Sequence, residues 1–155
     1  MDKNSGIIIE EYQEKYNDQV KNVIGTTLAD IDVIDRKTLP IDDEDLDKIR
    51  QIYSGKGKFW IAVKDGKLVG TVAVRDLGNN VAKLNRMFVL VNYHGSGLGQ
   101  ELLNTALLHV RLYGFNKIVL NTHVLMHRAH RFYEKNGFIR KEQKENRYFY
   151  ELILG

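Results

Sequence analysis

The sequence predicts a single domain, residues 1–155, of the α/β (α+β) class, in which a mixed sheet carries helices on both faces. Three observations support this prediction. Strand-like apolar segments occur before, between and after the helical ones. Two of these segments flank Asp65-Gly66, which is a strong hairpin signal. A glycine-rich turn within residues 86–103 joins a further strand to an amphipathic helix.

The first fifty residues predict one strand and two helices. Ile7, Ile8 and Ile9 indicate a short buried strand. Apolar residues at helical spacing predict helices over residues 18–34 and 42–53. Negative charge is favoured at a helix N-terminus, and a cluster of acids follows Pro40 there: Asp42, Asp43, Glu44 and Asp45. Helix capping is therefore favoured over substrate binding for this acidic cluster.

The rest of the chain predicts a strand meander, two further helices and a closing hairpin. One helix begins near Leu98 and ends at Gly114, and a shorter helix ends at Gly137. The strands are predicted over residues 58–64, 67–75, 81–89, 118–123, 139–143 and 148–154. This alternation of strands and helices is typical of a mixed sheet covered on both sides.

The composition excludes several classes of site. The chain has no cysteine, which rules out disulfides, thiolate nucleophiles and cysteine-based zinc sites and fits a reducing cytoplasm. No apolar stretch approaches the length of a membrane span, so we expect a soluble, cytoplasmic protein without a membrane partner. Residues 1–50 hold 13 acids and 7 bases, whereas residues 51–155 hold 7 acids and 16 bases. This asymmetry suits a polyanionic ligand on the later part, although solvated helix faces also explain it.

The glycine-rich turn indicates an anion site built from main-chain N–H groups. Gly95, Gly97 and Gly99 lack a β-carbon, and they lead into a helix whose first N–H groups have no intrahelical partner. A dinucleotide fingerprint is excluded because its last glycine would fall on Gln100 or Leu102, and a Walker loop is excluded because Gln100 follows Gly99. A phosphate or pyrophosphate ligand is predicted, and a turn that only joins strand to helix is the alternative.

Two motifs resemble the GNAT superfamily of N-acetyltransferases. The run His94-Gly95-Ser96-Gly97-Leu98-Gly99 resembles the loop that binds the acyl-CoA pyrophosphate in that family. The block from Ala129 to Phe138 is similar to the family's later Ala-x-x-x-Tyr-Glu-Lys-x-Gly-Phe signature. The resemblance covers about residues 60–138. It implies a GNAT-like, mostly antiparallel seven-stranded sheet that is flanked by about four helices and splayed between strands 4 and 5.

The resemblance also implies a reaction and a set of cofactor contacts. The expected reaction moves an acetyl group from acetyl-CoA to a primary amine by direct attack, without a metal, and the expected acceptor is a small molecule. The expected cofactor-binding residues are Met87, Phe88, Val89, His94, Gly95, Ser96, Gly97, Leu98, Gly99, Gln100, Asn121, Met126 and Ala129. Acetylation of protein lysines or N-termini, a non-catalytic acyl-CoA-binding protein and a nucleic-acid-binding module are the alternatives. A homodimer is compatible with the sequence, and nucleic acid is not expected as a partner.

Tyr133 is the candidate catalytic residue. Its phenol is protonated at neutral pH and could supply a proton to the departing thiolate, and Ala129 one turn earlier leaves space for a ligand. A core tyrosine is the alternative. The N–H of Val89 could polarise the thioester carbonyl. The general base is unassigned, because Lys83 and Asn85 stand where many relatives have a strand acid; water, His123 or His127 could serve.

Two residues that are expected to contact the cofactor depart from the family pattern. The sequence does not identify the acceptor. His94 stands in place of the usual Arg or Gln, which should make one pyrophosphate contact depend on pH, and Met126 stands where an asparagine is frequent. Weaker CoA affinity is the expected consequence. An acceptor ammonium group could be attracted by acids of the first third: Asp30, Asp32, Asp35 and Asp42.

Overall fold

The computed structural model describes residues 3–31, 33–39, 41 and 43–155, and its described part contains a seven-stranded mixed sheet. The strands are β1 (Ile8–Glu11), β2 (Lys58–Lys64), β3 (Lys67–Asp76), β4 (Val81–Val89), β5 (Lys117–His123), β6 (Ile139–Lys144) and β7 (Arg147–Ile153). Their spatial order is β1-β2-β3-β4-β5-β7-β6. Only β4 and β5 run parallel among these neighbours, so the predicted mixed and mostly antiparallel sheet is confirmed.

Five α-helices accompany the described strands. They are α1 (Asn17–Asp30), α2 (Glu44–Asp47), α3 (Ile49–Ile52), α4 (Leu98–Leu112) and α5 (His127–Lys135). The predicted helix over residues 42–53 is divided into α2 and α3, because Lys48 leaves the helical region with φ −130° and ψ 36°. The first predicted helix ends at Asp30 rather than at residue 34. Pro40 and Asp42 lie outside the described residues.

The helices cover both faces of the sheet, as predicted. On one face α4 packs through Leu98, Leu102 and Leu103 against β3 and β4. On the other face, helices α1 to α3 contribute a second buried cluster, which includes Ile24 and Leu46. Each face therefore has its own apolar core, and any opening through the sheet connects the two sides of the molecule.

The sheet opens between β4 and β5. These strands pair over three positions, from Val81 with Lys117 to Lys83 with Val119. Beyond this point β4 continues to Val89 without pairing to β5, whereas β5 remains paired with β7 along its whole length to His123. The predicted splay between strands 4 and 5 is confirmed.

A β-bulge in β4 lies beside this opening. Arg86 and Met87 together stand opposite Val72 of β3, and Arg86 adopts a left-handed φ of 52°. The Thr71 hydroxyl donates to the Arg86 carbonyl at 2.7 Å, which holds the bulge in place. A bulge bends its strand and increases the local twist, so it helps to turn the end of β4 away from β5. No sequence signal indicated it, since the residue with positive φ is an arginine rather than a glycine.

Candidate active site

The opening between β4 and β5 forms a cavity of about 450 Å³. Its walls include Leu84 and Phe88 of β4, Thr122 of β5, Met126 and Tyr133. A cavity of this size is within the range that binds a small ligand or the reactive end of a larger one. Among the described residues, no group of three or more histidines, cysteines, aspartates or glutamates is placed to hold a metal ion.

The glycine loop lies directly after β4. Gly95 and Gly97 adopt left-handed φ values of 78° and 93°, and Gly97 is the N-cap of α4. A β-carbon on Gly95 would meet nothing within 4 Å, and one on Gly97 would meet only the Asn4 amide at 3.9 Å, so the conformation rather than crowding favours glycine here. A β-carbon on Gly99 would make ordinary contacts with side chains of β4. Two of the three glycines are therefore required by the backbone itself.

The main chain of the loop is held by polar side chains. The Ser96 hydroxyl accepts from the Leu98 N–H at 3.3 Å, and the Asn4 amide donates to the Ser96 carbonyl at 2.9 Å. The Leu98 side chain is fully buried, so this residue anchors the start of α4 in the core. Asn4 could not be found from the sequence, because it lies 92 positions from its partner.

The end of β4 presents main-chain groups to the opening. Leu90 donates to the Val69 carbonyl and Val89 stands opposite Gly70, so Val89 occupies a non-hydrogen-bonded position of the β3–β4 ladder. Its N–H and C=O therefore point away from β3 and into the gap. The His94 ring contacts the Val89 carbonyl through Nε2 at 3.0 Å. One imidazole nitrogen of His94 is thus engaged by the strand end, and the predicted pyrophosphate contact would fall to the other nitrogen, Nδ1.

Tyr133 borders the cavity from α5. Its ring is buried and packs edge-on against Phe138 at 5.6 Å, and its hydroxyl has no hydrogen-bond partner among the described residues. Burial raises the pKa of Tyr133 above the ordinary phenol value. The phenol therefore stays protonated and can donate a hydrogen bond, but full proton transfer to a thiolate is less favourable than the ordinary pKa suggested.

Side chains from α4 and α5 hold these two helices together. Gln100 and Asn136 exchange amide hydrogen bonds of 2.8 and 3.1 Å. The side chain of Gln100 thus joins the first turn of α4 to the end of α5, and its contact with the cofactor stays a prediction. Ala129 lies one turn before Tyr133, and the Met126 sulfur accepts from the Thr122 hydroxyl at 3.4 Å.

The acids at the start of α2 bind Arg86. Its guanidinium contacts Asp43 at 2.8 Å and Asp45 at 2.6 and 3.0 Å, and Asp45 also accepts from the Tyr53 hydroxyl at 3.2 Å. Burial is the main cause that raises the pKa of Tyr53 to about 12. Asp43 is the N-cap of α2 but makes no side-chain capping bond, so the predicted capping role is wrong for this residue.

The other acids proposed for an ammonium group have different surroundings. Asp30 forms an ion pair with Arg36, and Asp35 accepts from the Lys37 N–H at 2.9 Å. None of the cavity walls includes Asp30 or Asp35. Asp32 and Asp42 lie outside the described residues.

The two candidate histidine bases are placed differently. His123 lines the cavity, but its Nδ1 accepts from the Leu125 N–H at 3.1 Å and its Nε2 contacts the Asn146 amide at 3.3 Å. His127 is exposed on α5 and does not line the cavity. These contacts do not favour either imidazole as the base.

Basic side chains line the face of the cavity opposite α4 and α5. Arg75, Lys83 and Arg147 all border it. Arg147 donates to the Asn121 side-chain carbonyl at 2.5 Å. Asn121, which was expected to bind the cofactor, therefore lies with the basic residues, whereas its neighbours Leu120 and Thr122 face the side that carries α5.

The splayed sheet and the glycine loop together define the fold of an acetyltransferase. A solved acetyltransferase from Streptococcus agalactiae superposes with a TM-score of 0.86 and 28% identity, covering 97% of this chain and 99% of that one. The PaiA N-acetyltransferase of Thermoplasma acidophilum, solved in complex with coenzyme A, shares the fold with a TM-score of 0.74 and 20% identity, covering 95% and 98% of the two chains.

The sequence comparisons lead to the same class. The model of the acetyltransferase (GNAT) family matches residues 27–138. An N-acetylaspartate synthetase from Xenopus tropicalis is 40% identical over 99 residues, which are 61% of this chain and 36% of that protein. The chain thus spans about a third of the length of this curated relative. The chain belongs to the acetyltransferase (GNAT) family, whose reaction is acetyl-CoA-dependent acetyl transfer to an amine.

Proposed function

We propose that the chain transfers an acetyl group from acetyl-CoA to the primary amine of a small molecule by direct attack. The observation that carries this proposal is the opening between β4 and β5, which is bordered by Tyr133 and by β4, the strand that leads to the glycine loop. The chain's similarity to an N-acetylaspartate synthetase, and its fold relation to a protein solved with coenzyme A, support the assignment.

The residues around the opening fit acetyl-CoA. The loop N–H groups from Gly95 to Gly99 and the start of α4 would hold the diphosphate. The Val89 C=O, which points into the gap, would accept from an amide of the pantetheine arm beside its contact with His94, and Met87, Phe88, Met126 and Ala129 would lie beside the arm. His94, Ser96, Leu98, Gln100 and Asn121 stay predicted cofactor contacts, and the side chains of His94, Ser96, Gln100 and Asn121 also make hydrogen bonds within the protein.

The chemistry requires an unprotonated amine and a stabilised leaving group. The amine nitrogen forms a bond to the acetyl carbon, the carbon–sulfur bond breaks, and the thiol leaves with a proton. Asp43 and Asp45 reach the cavity but are bound to Arg86, so we assign removal of the amine proton to water. The Tyr133 hydroxyl would donate a hydrogen bond to the sulfur, and the Val89 N–H would donate to the thioester carbonyl.

The test is an acetyl-CoA assay against a panel of small amines, with release of free thiol as the readout. We expect Tyr133→Phe to lower kcat about 100-fold while the Kd for CoA stays unchanged, because a positioned proton donor contributes about 10²-fold or more. Tyr113→Phe is the matched control, since Tyr113 is 46% exposed at the end of α4 and should retain full activity.

Two results would overturn the proposal. One is CoA binding by the wild-type protein without acetylation of any amine, which would identify a non-catalytic acyl-CoA-binding protein. The other is faster acetylation of peptide lysines or N-termini than of any small amine. Cytoplasmic localisation and a homodimer stay predictions of the sequence, and no helix in the described part of the chain has the length and apolar character to cross a bilayer.

A further inference from the structure

Three cations from three strands line one face of the cavity. Arg75 of β3 stands directly opposite Lys83 of β4, which in turn stands beside Val119 of β5. Arg147 is on β7, opposite His123 of β5. Directly opposed residues project to the same side of a sheet, so these cations share the face opposite α4 and α5.

The three cations have no acidic partner among the residues that the structure describes. Arg147 is held by the neutral Asn121 side chain, and neither Arg75 nor Lys83 makes a salt bridge there. Two acids occur among the described residues that line the cavity, Asp43 and Asp45, and both are bound to Arg86. The described side chains on this face therefore include three cations that no carboxylate binds, and these cations would attract an anion.

The environment of these groups supports an anion site. Burial is the main cause that lowers the pKa of Lys83; the charges of Arg75, Arg147 and Arg86 add to this shift, and the charge of Asp45 opposes it. Partial burial and the charge of Arg86 lower the pKa of Arg147. Nearby positive charge thus contributes to both shifts, in addition to burial. A bound carboxylate would oppose both shifts.

The CoA diphosphate is not the anion that this wall would bind. Lys83 lies six residues before Val89 on β4, which corresponds to about 20 Å along an extended strand. The glycine loop begins beyond Val89, and none of its residues lines the cavity. The cations are therefore placed for the acceptor rather than for the nucleotide.

We propose that the acceptor is a small amine that carries a carboxylate, such as an amino acid, and that Lys83 and Arg147 determine this specificity with Arg75 beside them. The inference rests on the proposed acetyltransferase function. The guanidinium of Arg147 is oriented by Asn121, which leaves N–H groups in the planar fork that suits a carboxylate. This reverses the expectation that acids near the first helices select the acceptor through its ammonium group.

The test compares the acids alanine, aspartate and glutamate as acceptors with amides that lack every carboxylate, namely alaninamide and the diamides of aspartate and glutamate. Phosphoethanolamine is included to distinguish phosphate from carboxylate. We expect Lys83→Gln and Arg147→Gln each to raise the KM for the acids at least 10-fold and the KM for the amides less than 2-fold. Lys83→Arg should restore most of the affinity, and the KM for acetyl-CoA should not change. Arg111→Gln, an exposed cation on α4, is the control.

Several results would overturn the inference. A wild-type enzyme that prefers the amides or phosphoethanolamine would contradict a carboxylate site. So would variants in which the KM rises equally for the acids and the amides. Both results would leave the acetyltransferase function intact. A wild-type protein that acetylates no acceptor would instead overturn the proposed function, and this inference with it. The side chain of Arg147 is exposed, so we expect Arg147→Gln to fold normally. If Lys83→Gln is unstable, the KM values of Arg147→Gln alone decide between these outcomes.

Discussion

At the scale of single residues, Gly95 and Gly97 differ from Gly99. The first two have φ values of 78° and 93°, where a side chain costs about 1–2 kcal/mol, whereas Gly99 lies in the first turn of α4. Open space around Gly95 and Gly97 leaves their main chain accessible to a ligand. The oxygen atoms of a diphosphate could therefore approach the loop without meeting a side chain.

Replacing Gly97 with glutamate should abolish this access. Gly97→Glu puts a carboxylate where the proposed diphosphate binds, so the Kd for CoA in a calorimetric titration should rise at least 100-fold, or about 2.7 kcal/mol. Gly78→Glu is the matched control, because Gly78 has a similar φ of 85° and open surroundings in the turn between β3 and β4. Equal loss of CoA affinity in both variants would show that backbone strain, not the loop, is responsible.

At the scale of secondary-structure elements, Arg86 connects α2 to the bulge of β4. It is the bulged residue itself, and its side chain is 18% exposed while it binds two aspartates. The hydrogen bonds of Arg86 fix the wall of the cavity between β4 and β5. They also neutralise Asp43 and Asp45, which border this cavity. Loss of the guanidinium would leave Asp43 and Asp45 close together without a counter-charge.

Arg86→Ala should therefore lower the free energy of unfolding by about 2 kcal/mol, the range found for a partly buried hydrogen bond to a charged group. Arg50→Ala is the comparison, because the ion pair of Arg50 with Glu14 is mostly exposed at 67% and 73% and should contribute less than about 1 kcal/mol. Urea unfolding of both variants gives the two values. Similar losses would mean that the Arg86 network does not stabilise the junction of α2 and β4.

The elements themselves were largely predictable from local sequence. The strands over 58–64 and 81–89 were predicted at their observed bounds, because apolar runs and turn residues mark both ends. The glycine loop was predicted from Gly95, Gly97 and Gly99, and the splay between β4 and β5 was predicted from the resemblance to the GNAT superfamily. The bulge and the Arg86 network were not predictable, because they depend on contacts across 41 and 43 positions and on a left-handed arginine. The acids at 43 and 45 could only be interpreted locally, as helix caps.

At the scale of the whole molecule, the opening in the sheet connects two chemically different sides. The side of α4 and α5 carries the glycine loop and Tyr133, whereas the opposite side carries the cations Arg75, Lys83 and Arg147. A cofactor that enters along the first side and an acceptor that binds on the second would meet between β4 and β5. The splay is thus the feature on which both the proposed reaction and the proposed specificity depend.

The most direct test of this account is a crystal structure of the protein with acetyl-CoA. The account predicts the diphosphate on the N–H groups of residues 95–99, the pantetheine arm between β4 and β5, and the sulfur within hydrogen-bonding distance of the Tyr133 hydroxyl. A diphosphate bound away from the loop, or a pantetheine arm outside the opening, would contradict it.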